Sequence, residues 1–154
     1  MPEIPIRAEI VSLFAIRETD TGWQTLLMKR AQSLVGAWCQ VAGGLEEGET
    51  AWQGALRELR EETGLTPIKL YSADICERFY EIDADAITIA PVFVALIDAT
   101  DGVRLNEEHS DFRWLSFDAA RDLVEYGGQR RCLTWIEEEF IKRAPSKHLQ
   151  IDLS

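Results

Sequence analysis

Three glutamates, Glu58, Glu61 and Glu62, crowd together near the end of Gly43–Leu65 (GGLEEGETAWQGALRELREETGL), a stretch holding six carboxylates against two arginines. Carboxylates at this density suit a hard divalent cation such as Mg2+ or Mn2+, which takes oxygen ligands. On a helix the same spacing is poor design for stability. Glu58 stands at like-charge spacing to Glu61 and Glu62, costing about 0.2–0.5 kcal/mol per pair. Glu61 and Glu62 also fall in a final turn, where the helix dipole is already negative. A bound cation removes both objections; a merely solvated acidic face leaves them standing. The small residues beside the acids and the glycine-rich approach favour the cation.

The stretch does read as a helix. Thr50 caps its start, with Gln53 three residues on to complete a capping box, and Gly64 suits the left-handed position that ends one. At about 100° per residue, Trp52, Leu56, Leu59 and Thr63 make a stripe that docks on a core. Gln53, Arg57 and Arg60 make a solvated side. Ala51, Gly54 and Ala55 share the third side with Glu58, Glu61 and Glu62.

Gly43, five residues, Glu49, seven residues, then Arg57-Glu58-Leu59-Arg60-Glu61-Glu62-Thr63-Gly64-Leu65 resembles the Nudix box of the Nudix hydrolases, every defining position filled. A match of this length with fixed spacing is far more specific than a lone glycine motif. The resemblance implies an α/β/α sandwich with a mixed sheet, and an enzyme cleaving a diphosphate linkage with Mg2+, Mn2+ being a possible substitute. Glu58, Glu61 and Glu62 become the expected metal ligands and catalytic acids, and which of them activates water stays open. Gly43 and Gly44 are expected to bring backbone near metal or phosphate, with Arg57 as an orienting partner. Glu49 fits a structural role better than a catalytic one. The family often adds a carboxylate from a distant loop. Glu107 and Glu108 lie in such a loop, and Glu108 is the favoured fourth catalytic residue, while His109 reads as a surface histidine.

The run Glu107-Glu108-His109 before Phe112-Arg113-Trp114-Leu115 also resembles that region of nucleoside triphosphate and dihydroneopterin triphosphate pyrophosphatases. The expected substrate is therefore a nucleoside or pterin triphosphate, cleaved to a monophosphate and pyrophosphate. ADP-ribose and dinucleoside polyphosphates are alternatives, as is a non-catalytic nucleotide sensor, which the intact box argues against. Isopentenyl diphosphate isomerisation, another chemistry of the family, rests here on Cys39 alone. Arg78, Phe79, Tyr80 and Tyr126 can clamp or stack on a base, although core packing suits each aromatic taken singly.

At 154 residues the chain is expected to form one domain, 1–154, able to bury a real core. Its net charge of −11 opposes a nucleic-acid partner, since that needs clustered Lys and Arg. A phosphate substrate is not opposed, because the metal supplies the positive charge. Cys39, Cys76 and Cys132 are too scattered for a disulfide framework or a zinc site. With no secretory signal or membrane-length apolar run, the expectation is a cytoplasmic protein, monomeric or homodimeric, away from membranes.

The remaining elements predict an α+β domain. Residues 6–17 and 23–29 form a hairpin about Asp20-Thr21-Gly22, leaving Lys29 and Arg30 at a strand end. Trp38–Val41 is a short strand. Pro67–Asp74 and Glu77–Tyr80 make two strands. Ala86–Ile97 makes another, Pro91 marking a bulge or an edge, and Phe112–Leu115 the last. Ser116 or Asp118 caps a short helix ended by Gly127-Gly128. Gln129–Arg143 is a final helix with Leu133, Ile136, Phe140 and Ile141 buried, and the tail from Lys147 is frayed or docked on a partner.

Overall fold

The computed structural model describes residues 1–154. Its sheet is built around a hairpin that opens. Strands β2 (Ile10–Thr19) and β3 (Gly22–Arg30) pair only near their shared turn, from Thr19 opposite Gly22 to Ile16 opposite Thr25. They then diverge. Strand β4 (Trp38–Cys39) enters the fork against β3, and β5 (Val41–Gly44) against β2. Gln40, between them, is where the chain changes partner.

The other edge of β2 runs parallel to β7 (Ala86–Leu96), and β1 (Ile6–Arg7) extends that edge opposite Ile87 and Thr88. Pro91 falls in the gap between these two stretches of pairing. The N–H of Ile87 points to the β1 side, onto Pro5 O, so by strand alternation the missing N–H of Pro91 faces that gap. Strand β6 (Lys69–Glu81) pairs antiparallel with β7 along its whole length, with a shift of register between Ser72 and Cys76. The two strands expected here are one bulged strand, with Asp74 at φ 63° inside the bulge. Strand β8 (His109–Leu115) covers the outer edge of β3, and β9 (Gln150–Ile151) pairs with Leu70 and Tyr71. The tail docks on its own sheet.

Alternation along β2 fills both faces. Val11, Leu13 and Ala15 pack with Leu26, Met28, Val41, Ala55, Leu59 and Phe93 beneath helix α1 (Ala51–Thr63). Phe14 and Ile16 pack with Leu27, Trp38, Tyr71, Val92, Phe117, Leu133, Ile136 and Phe140 on the opposite face. That second layer comprises α2 (Phe117–Leu123), α3 (Gly127–Ile136) and a π-helical turn, Glu137–Ile141. The result is the expected α/β/α sandwich. Ser116 caps α2 through Ala119 N, but Val124 ends it, and Gly127-Gly128 open α3. There Gln129 Oε1 accepts from Tyr126 N. The expected last helix thus begins two residues earlier and passes into the π turn after Ile136. No helix is long and apolar enough to cross a membrane.

Candidate active site

Helix α1 is set as its sequence demands. Thr50 Oγ1 accepts from Gln53 N, Gln53 Oε1 accepts from Thr50 N, and Gly64 at φ 72° donates its N–H to Arg60 O. Its buried face is rotated from the expected stripe. Leu56, Leu59 and Thr63 are buried, yet so are Gly54, Ala55, Glu58 and Glu62, while Trp52 is only half-buried. Glycine makes this approach possible. A Cβ on Gly43 of β5 would overlap the Glu58 carboxylate, and one on Gly54 would run into the Leu45 side chain. The two helix acids therefore point into the sheet, and only Glu61 stays at the rim, its side chain half exposed.

Glu62 is 1% exposed, and its Oε2 has no hydrogen-bond partner. Burial, then the neighbouring Glu58 carboxylate, push its pKa up to about 10. Its Oε1 lies 3.7 Å from Nδ1 of His109, itself buried and also without a partner. His109 is thus no surface histidine. Burial and then the Arg30 guanidinium hold it below its ordinary pKa, favouring the neutral ring. Its Nε2 lies 3.6 Å from Cys39 Sγ, a thiol that burial pushes up to about 11.

The loop before β8 brings in Glu108. One oxygen each of Glu62 and Glu108 and a ring nitrogen of His109 lie within 4.8 Å of one another. Glu108 is exposed; its pKa is raised first by partial desolvation, then by Glu58, Glu107 and Glu61. Glu107 is exposed and outside this group. Arg30 also acts on the site through its charge, opposing the upward shifts of both Glu62 and Glu108. In the sequence Lys29 and Arg30 are a basic pair at a strand end, able to reach a phosphate but more simply read as solvated.

Arg57 does not lie on a solvated side. Its Nη2 donates to Glu49 Oε1 at 2.7 Å and to Gly44 O at 2.9 Å. Its Nη1 donates to Glu58 Oε1 at 2.8 Å and to Glu61 Oε2 at 3.2 Å. The bond to Glu49 above all raises the Arg57 pKa, and the same bond, with the N–H of Glu46, lowers that of Glu49. A guanidinium fork engaged this way fixes planar partners. It ties the glycine loop, the helix start and two helix acids into one unit, and Glu49 serves it structurally.

Of the aromatic residues that could meet a base, Phe79, Tyr80 and Tyr126 are exposed, not packed in the core. Trp38 is buried, with Arg113 stacked 4.6 Å over its ring.

Such a site fits a divalent cation: two buried carboxylates, one oxygen orphaned, and a glycine cradle that a Cβ would fill. The sequence matches the NUDIX domain family over residues 7–136, and the chain belongs to that family. Among its relatives is the asymmetrical bis(5'-nucleosyl)-tetraphosphatase of Caenorhabditis elegans, 29% identical over 91 residues, covering 58% of this chain and 65% of that one. Another is nucleoside triphosphatase NudI of Escherichia coli, 33% identical over 98 residues, covering 59% of this chain and 67% of that one. The chain thus spans about two thirds of each relative's length. A solved C. elegans Ap4A hydrolase, a binary complex, superposes with a TM-score of 0.75 at 22% identity, covering 86% of this chain and 96% of the other.

Proposed function

We propose that this chain is a metal-dependent pyrophosphohydrolase that cleaves the diphosphate linkage of a nucleoside or pterin triphosphate, releasing a monophosphate and pyrophosphate. The observation that carries the reading is Glu62: a carboxyl buried with one oxygen unpartnered, beside a second buried carboxyl. An unsatisfied buried acid is costly, and a divalent cation is the ligand that repays it. Glu58 and Glu62 would hold the ion, with Glu61 at the rim and the backbone of Gly43 and Gly44 alongside. When bound, Mg2+ or Mn2+ polarises phosphate oxygens and lowers the pKa of water.

The chain's own residues supply the rest. Arg57 keeps Glu58 and Glu61 aimed and holds the loop through Gly44 O. Glu108, the exposed acid of the group, would offer one oxygen to the ion and accept a proton from incoming water at the other. Exposed Phe79, Tyr80 and Tyr126 offer flat surfaces for a base or a pterin. The net charge of −11 disfavours nucleic acid as substrate.

A second reading has its own support. A dinucleoside tetraphosphate presents the same linkage, and the worm tetraphosphatase is similar in sequence.

The test is turnover of a panel of nucleoside triphosphates, dihydroneopterin triphosphate, ADP-ribose and dinucleoside tetraphosphates with Mg2+, products separated by ion exchange. We expect one class to be cleaved, and Glu62→Gln to lower turnover at least about a hundredfold with the fold intact. Binding of every candidate without product would favour a sensor. Full Mg2+-dependent activity in the variant would overturn the metal assignment.

A further inference from the structure

Strict alternation along β8 would put His109 on the wrong face. Arg113 stacks on Trp38 in the layer under α2 and α3, whereas Trp114 packs in the layer under α1. Counting back by twos from Arg113 sends His109 toward Trp38. The ladder does not allow it. Lys29 pairs with Asp111 but Arg30 with His109, so Ser110 is an extra residue on β8. Bulges re-aim side chains, and this one turns the imidazole to the α1 side, against Cys39 and Glu62.

The ring is then oriented by its other nitrogen. Nε2 is occupied by Cys39 Sγ at 3.6 Å, while Nδ1 is buried, unpartnered and aimed at the acids. Its 3.7 Å separation from Glu62 Oε1 is too long for a hydrogen bond. Nδ1 is itself orphaned, and the Glu62 Oε1 it faces belongs to a carboxyl whose other oxygen is orphaned too; the gap between them is a place for a third atom.

We propose that His109 Nδ1 joins Glu62 and Glu108 as a nitrogen donor to the bound ion, so that the site selects Mn2+ over Mg2+ more strongly than carboxylates alone would. The proposal rests on the functional reading above and adds to it a ligand type. Imidazole suits transition metals, whereas Mg2+ keeps to oxygen. Ligand atoms on an ion with bonds of about 2.1 Å sit at most about 4.2 Å apart. Closing the present 4.8 Å cluster therefore asks for side-chain shifts of about half an ångström.

Pulsed EPR of the Mn2+-loaded protein tests it without any turnover measurement. The chain has two histidines, so His148→Gln leaves His109 alone, and labelling with 15N-histidine marks its ring. We expect a histidine nitrogen coupling on Mn2+ that changes with the label. We also expect the ratio of Mn2+ to Mg2+ affinity to fall about tenfold in His109→Gln. Stoichiometric Mn2+ binding that Glu58→Gln abolishes, but with no histidine coupling, would overturn this proposal and leave the functional reading standing. An unchanged affinity ratio in a folded His109→Gln would do the same. Failure of Mn2+ and Mg2+ to bind the unmodified chain would sink both. Should His109→Gln not fold, the labelling result decides alone.

Discussion

Two buried polar clusters sit on opposite faces of one sheet, and they are finished differently. Under α3, Gln40 Nε2 donates to Ser12 Oγ and to Glu77 Oε1, both at 2.9 Å, and Gln129 Nε2 donates to Gln40 Oε1 at 3.0 Å. Gln129 Oε1 in turn accepts from Tyr126 N. None of these side chains is left with an orphaned buried atom. Under α1, by contrast, Glu62 Oε2 and His109 Nδ1 have no partner. Buried polar groups in folded proteins are nearly always bonded. A satisfied network locks a fold, here the point where the chain crosses the fork between β2 and β3. An unsatisfied one waits for something the chain does not supply. The difference separates scaffold from site.

The largest effect that can break this contrast is on the α1 side. Glu58→Gln and Glu62→Gln should each lower metal affinity and turnover at least about a hundredfold, while the metal-free protein melts no lower than wild type. Isothermal titration and thermal melts check both halves. Gly43→Ala comes next. Its Cβ must displace the Glu58 carboxylate, so Mn2+ affinity should fall about tenfold in a folded protein; unchanged affinity would show that the cradle is incidental.

The α3 side should respond the other way round. Gln129→Leu leaves Gln40 Oε1 and Tyr126 N without their partner. We expect a loss of about 1–3 kcal/mol in denaturant unfolding, with Mn2+ affinity unaltered. The smallest effect concerns Glu77. Burial raises its pKa above 4.5, so the folded state favours the protonated form. The stability it contributes is whole below pH 4.5 and is lost as pH rises through the folded value. Glu77→Gln should flatten that part of the Tm-against-pH profile; a profile parallel to wild type would refute the assignment.

How legible these clusters were differs as well. Whereas the layer order came from the resemblance to the Nudix family, the acids of α1 and the capping of that helix follow from local spacing, because a helix period and a glycine loop are written in adjacent residues. The rotation of α1 was not, since it depends on Gly43, which reaches Glu58 only across the fold. His109 was misread for a similar reason. Its burial comes from a bulge set by pairing with β3, which no pattern within β8 announces. Gln40, Glu77 and Gln129 lie 37 and 89 positions from their partners in the network, and none carries a local motif. The expected break in β6 was real as a bulge, but pairing with β7 resumes beyond it. Gly127-Gly128 look like a helix end because glycine is common there, although the same residues can open one.

The most direct test of the central claim is anomalous scattering from crystals soaked in Mn2+. The account predicts a peak in contact with Glu62 Oε2 and shared with Glu58, absent in Glu62→Gln. Crystals that diffract well and hold no Mn2+ there, with Glu62 bonded to water, would contradict it.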